Sequence, residues 1–252
     1  MKNTNTTTTT VKLKKPMNIY LKIILIELLV IFFYTANGAY VSITQPDNPV
    51  LQFIGLIPLA IGLIIYVLRG QRWKDLYLDS KIKSPKDILV YAPLLIVLMI
   101  IFIGNEGLNL TSIPNLLLML IIQICVIGVI EEIMFRGIML KALEGKGTTV
   151  AVLISSVFFG ITHALQLMGG QSLEDTILQI IYAFVLGAVL ALLVLHKHTL
   201  IATIIFHGVH NFLNFMAKTE RTASILDYII VAILVVYMIW LFIKVRQTRS
   251  II

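Results

Sequence analysis

Eight apolar runs divide this chain and leave little sequence for anything except membrane-spanning helices. They cover roughly residues 17–36, 50–68, 88–104, 113–135, 149–168, 176–195, 199–217 and 225–243, each bounded by Gly, Pro, Asn or charge. A helix needs about 20 mostly apolar residues to cross about 30 Å of hydrocarbon, so these crossings use most of the length. The composition agrees, with 58% hydrophobic and 13% charged residues, against about 25% charged in an ordinary soluble domain. Residues 17–252 therefore read as one all-α, polytopic transmembrane bundle of about eight spans. Residues 1–16 are a Thr-rich, basic stretch (TNTTTTTVKLKK) with too little apolar surface to fold, and read as a disordered cytoplasmic tail. Lys22 and Glu27 interrupt the first run and no A-x-A site follows it, which favours a retained helix over a cleaved signal peptide.

The basic residues orient the bundle. One face receives four lysines from the tail, six basic residues from segment 69–87, then Lys141, Lys146, Lys197, and finally Lys244, Arg246 and Arg249; these are sixteen of the 20. The other face receives Lys218 and Arg221, and Lys22 and Arg136 fall inside or at the edge of runs. The positive-inside rule then places both termini in the cytoplasm. The net charge of +7 is spread over the ends of apolar segments rather than along one face, which argues against a nucleic-acid partner. The bilayer itself is the expected partner. Cys125 is the only cysteine and has no partner for a disulfide or a CxxC knuckle; it reads as packing.

Ionisable groups inside membrane spans are costly, about 2.5–3.5 kcal/mol each at a helix centre on insertion scales. Here they concentrate on three runs: VIEEIMFRG at 129–137, FGITH at 159–163 and HGVHN at 207–211. Glu132 and Arg136 are four apart and pair along one helix face, whereas Glu131 is rotated about 100° from them and is free to face a cavity. His207 and Asn211 are also four apart, and His210 with Asn214 repeats that spacing, so the register is ambiguous from spacing alone. Counted from the basic loops, Glu131, His163 and His207 are expected to meet in one cavity open to the cytoplasm. A glutamate removed from water is a stronger base than a solvated one, and a neighbouring imidazole can hold a water for it. An imidazole N–H and an Asn amide can donate to the oxyanion of a tetrahedral intermediate. The same Glu131, His163 and His207 could instead ligate zinc with a position open for water. Glu27 and Asp227 read as interfacial or paired, and Tyr34, Tyr40 and Trp240 as interface anchors.

EEIMFRG resembles the EExxxR motif, FGITH the FxxxH motif and HGVHN the HxxxN motif of the CPBP intramembrane peptidases. This is also called the Abi or CAAX-protease family, to which the Ras-converting endopeptidase belongs. The resemblance covers residues 70–215 in motif order and spacing, and Arg72-Trp73-Lys74-Asp75-Leu76 is similar to a tryptophan-containing loop of that family. It implies that Glu131 activates water with His163, that His207 and Asn211 stabilise the oxyanion, and that Glu132, Arg136 and Phe159 support them, with His210 close by. It further implies a conical cavity facing the cytoplasm and hydrolysis of a peptide bond in a membrane-associated peptide or protein. An Ile-, Lys- and Asn-rich chain suits a low-GC bacterial plasma membrane, where leader, pheromone or bacteriocin-type peptides are the expected clients. The alternatives are a non-proteolytic bacteriocin-immunity or scaffold protein, and a small transporter using the buried carboxylates as proton carriers.

Overall fold

A computed structural model describes residues 17–79, 84, 88–196, 199–219 and 224–249. The tail at 1–16, Lys81, Lys83, Lys86, Lys197 and Arg221 lie outside the described residues. The described chain runs through α1 (Ile19–Thr44), α2 (Pro49–Asp75), α3 (Ala92–Gly104), α4 (Ile113–Lys146), α5 (Thr148–Gly169), α6 (Leu173–Leu195), α7 (Leu200–Phe215) and α8 (Ile225–Arg249). Among the described residues six of these, α1, α2, α4, α5, α6 and α8, are long and apolar enough to cross a membrane, and α3 and α7 are shorter apolar helices. Each apolar run of the sequence has its helix, and the protein is a polytopic, all-α membrane bundle.

Local chemistry sets several helix starts. The side chains of Asn18, Ser112, Ser172 and Thr199 each accept a backbone N–H of the first turn, which satisfies donors that have no partner within the helix. Two boundaries differ from the sequence expectation. α1 runs on through Asn37-Gly38 to Thr44, because Asn37 spends its polar side chain on another element. Its amide donates to Gln52 O at 2.8 Å and its oxygen accepts from Gly55 N–H at 3.0 Å, fixing the entry of α2. α4 does not stop at Phe135 but continues to Lys146, since Arg136 is neutralised within the bundle rather than marking a helix end.

α4 is also irregular. It is π-helical over Gln123–Gly128 and again over Glu132–Met139, with the single α-turn Val129–Glu131 between them. π segments are rare and cluster at functional sites. Here the first ends three residues before Glu131 and the second begins at Glu132.

The ends of the bundle are distinct. At one end Leu200 N–H donates to Tyr77 O and the Tyr77 hydroxyl to Glu144, tying together the α2–α3, α4–α5 and α6–α7 connections. This end also carries the N-terminal side of α1 and the C-terminal side of α8, hence most of the basic residues; we call it the basic end. At the other, distal end Asn105 donates to Leu213 O, Asn109 N–H to Met216 O and Lys218 N–H to Gly107 O, joining the α3–α4 and α7–α8 connections.

Candidate active site

Small residues bring the three motif helices together. A Cβ on Gly208 of α7 would stand 2.5 Å from Ile124 Cα and 2.8 Å from Gln123 O of α4; one on Gly128 would stand 2.8 Å from Ile204 O. The α4 and α7 backbones therefore touch, the close approach that glycine permits between membrane helices. Gly160 allows α5 the same approach to α6, with Ile180 O at 3.1 Å from its built Cβ.

The acidic pair is divided between two environments. Glu132 and Arg136 are both fully buried, and Arg136 Nη1 donates to Glu132 Oε1 at 2.9 Å. The guanidinium also lies 3.9 Å from the Phe159 ring centroid and faces Gly187, where a Cβ would come within 3.0 Å of Nη2. Phe159 is a hub, since its ring also packs edge-on against the rings of His163 and His207. His207 bridges the carboxylates, with Nδ1 donating to Glu132 Oε1 at 2.8 Å and Nε2 lying 3.2 Å from Glu131 Oε2.

Glu131 faces a cavity of about 280 Å³. Its Oε1 accepts a hydrogen bond from the Tyr34 hydroxyl of α1 at 2.5 Å. Its Oε2 is buried and has no hydrogen-bond partner, the nearby His207 Nε2 being out of line for one. His163, His207, His210 and Asn211 line the same cavity. His163 Nδ1 donates to Phe159 O at 2.9 Å, which leaves Nε2 as the acceptor in the neutral ring. His210 Nδ1 donates to Asn211 Oδ1 at 3.1 Å and its Nε2 accepts from the Tyr182 hydroxyl at 2.6 Å, so the Asn211 amide nitrogen remains a donor.

The structure thus gathers Glu131, His163, His207, Asn211 and His210 around one space and sets Glu132, Arg136 and Phe159 behind them. The ambiguous register separates in space: His207 reaches both glutamates, while His210 holds Asn211 and Tyr182. Two sequence readings need correction. Tyr34 is a ligand of Glu131 rather than an interface anchor; a tyrosine ten residues from a helix end carries no local sign of which side it faces. Tyr182, which the sequence reading passed over, had no motif to mark it. Cys125 is exposed on the outside of the bundle rather than packed. Glu27 is paired, accepting from Thr162 at 2.8 Å. Among the described residues no group of three His, Cys, Asp or Glu side chains is arranged to hold a metal ion.

The cavity lies on one side of this cluster. From Glu131 and His207 it extends toward the distal end, where Gln166, Asn214 and Phe215 are its exposed lining residues. Toward the basic end, α4 is buried from Glu132 through Leu140 and α6 from Val185 through Leu195. Cytoplasmic termini and a cytoplasm-facing cavity, both expected from the sequence, are therefore mutually exclusive.

The protein is thus a polytopic membrane bundle with a buried Glu–His–Arg cluster at the closed end of a cavity. Residues 113–213, which carry all three motifs, match the family model for type II CAAX prenyl endopeptidase Rce1-like proteins. The motif resemblance is borne out at the level of this domain, and α1, which supplies Tyr34, lies outside the matched segment. No curated protein matches the chain.

Proposed function

We propose that this protein is a multi-pass membrane endopeptidase, in a bacterial plasma membrane with both termini cytoplasmic, that hydrolyses a peptide bond in a membrane-associated peptide or protein with water activated by Glu131. The observation that carries this reading is Glu131 Oε2, a buried carboxylate oxygen at the cavity wall with no hydrogen-bond partner. Buried polar atoms are nearly always hydrogen-bonded, so an unpaired one at a cavity wall fits a site for water.

Each neighbour has a role in that chemistry. Tyr34 occupies Oε1 and leaves Oε2 as the basic atom. His163, its Nδ1 committed to Phe159, offers Nε2 to the same water as an acceptor. Glu132, neutralised by Arg136, accepts the proton on His207 Nδ1, and the scheme needs a second proton on Nε2 for His207 to act as a donor. With that proton on the imidazole, Glu131 is a carboxylate and His207 is a donor.

Water bound between Glu131 and His163 attacks the scissile carbonyl carbon as its proton passes to Glu131. The oxyanion is held by His207 Nε2–H and the Asn211 amide. Collapse breaks the C–N bond, and the proton on Glu131 passes to the leaving amine, giving a carboxylate and an amine. Zinc on Glu131, His163 and His207 is the alternative source of the nucleophile. Metal analysis of the purified protein decides it, since about one zinc per chain, lost in His163→Ala, would replace the metal-free scheme.

The test of the reading is a comparison of membrane and secreted peptide termini between cells carrying wild-type protein and Glu131→Ala, with insertion matched by immunoblot. Termini that depend on Glu131 are expected, and they name the substrate. Identical profiles with a phenotype preserved in the mutant would favour the non-proteolytic immunity or scaffold reading.

A further inference from the structure

We propose that the cavity is reached from the extracytoplasmic face of the membrane, and that its substrate is a peptide segment exposed on that side. Two independent observations combine here. The cavity's exposed lining residues, Gln166 of α5 and Asn214 and Phe215 of α7, all stand at the distal end, while the turns between Glu131 and the basic end are buried. Among the described residues Arg69, Arg72, Lys74, Lys141, Lys146, Lys244, Arg246 and Arg249 stand at the basic end, against Lys218 at the distal end, and by sequence the same segments account for sixteen of the 20 lysines and arginines, against two for the α7–α8 connection.

Charge bias in short connections decides orientation, because each lysine or arginine translocated across a bilayer opposes insertion. The bias here recurs in every connection at the basic end. A bundle inserted so that the cavity faced the cytoplasm would have to translocate sixteen basic residues to retain two. The orientation is therefore fixed by charge, and the position of the cavity within the bundle then puts its mouth outside. A cleavage site held within the cytoplasm would meet the closed side of the bundle, where the fully buried Phe135, Met139, Leu140 and Leu193 stand between it and Glu131. A segment emerging on the outer side, or a secreted peptide resting on the outer leaflet, meets the open side. That the occupant is a peptide rests on the peptidase reading; the face from which the cavity is reached does not.

Cysteine accessibility tests this without any assay of cleavage. In a Cys125→Ser background, Gln166→Cys probes the cavity mouth, Thr111→Cys the distal surface and Gly145→Cys the basic end, where a side chain at Gly145 meets open space. Each full-length variant is exposed to a membrane-impermeant maleimide in intact spheroplasts and after permeabilisation. Gln166→Cys and Thr111→Cys are expected to label fully in intact spheroplasts, and Gly145→Cys only after permeabilisation. The reverse pattern, or labelling of all three in intact spheroplasts, overturns the proposal. So does labelling of Thr111→Cys with Gln166→Cys unreactive in both conditions, because the cavity would then not open at this face. Absence of any Glu131-dependent cleavage by the wild-type protein, together with the expected labelling, would sink the peptidase reading and leave the access face standing.

Discussion

α6 and α1 are both apolar helices of membrane-crossing length, yet 61% of the most apolar stretch of α6 is buried inside the bundle, against 22% for α1. α6 belongs to the matched segment and is packed on all sides over Val185–Leu195. α1 stands at the edge, with Leu21, Ile24, Leu28 and Phe32 exposed on its outer side. On its inner side it carries two polar groups seven residues apart, Glu27 on Thr162 and Tyr34 on Glu131. The central helices hold the Glu–His–Arg cluster by burial, whereas the peripheral helix contributes a single hydrogen bond to it, from Tyr34. Mutations in the two regions should therefore fail in different ways, centrally through folding or chemistry and peripherally through the geometry of Glu131.

The largest effect is expected at Glu131. Glu131→Gln keeps the shape and removes the base, and should lower the cleavage rate about 10²–10⁴-fold with normal expression; unchanged cleavage by the purified variant would remove Glu131 from the chemistry. Next is Arg136→Leu, which strands the buried Glu132. Removing one partner of such a pair costs about 3–5 kcal/mol, so the variant should unfold at markedly lower temperature in detergent. A thermal scan matching wild type would show that Glu132 does not depend on Arg136.

Tyr34→Phe sharpens the contrast, since it deletes the one hydrogen bond that the edge helix gives to Glu131 and leaves Oε1 free. It should reduce kcat by about tenfold or more with little change in KM or melting temperature, and a variant that loses stability in step with activity would make α1 a packing element only. Cys125→Ser, on the outer surface, should stay within about 0.5 kcal/mol of wild type. A larger loss in the same thermal scan would mean that Cys125 packs against something in the membrane.

The helices were legible because eight apolar runs and their Gly, Pro and Asn boundaries are local signals. Where a local signal was spent on a distant partner, the reading failed: Asn37-Gly38 looks like a helix end until Asn37 is seen to hold Gln52 and Gly55, and Arg136-Gly137 looks like an interface until Glu132 neutralises the arginine. The clustering of Glu131, His163, His207 and Asn211 was legible from motif spacing. Tyr34 and Tyr182 were not, because a lone tyrosine on an apolar helix is marked only by the neighbour it meets after packing. The side on which the cavity lies was also hidden, since a residue near mid-helix gives no hint of which half of the bundle is hollow.

The most direct test of the central claim uses purified protein in nanodiscs with a synthetic peptide spanning a cleavage site found from Glu131-dependent termini, followed by mass spectrometry. The account predicts one new amine and one new carboxylate terminus with wild-type protein and none with Glu131→Gln. Cleavage of the same bond by Glu131→Gln at the wild-type rate would contradict it.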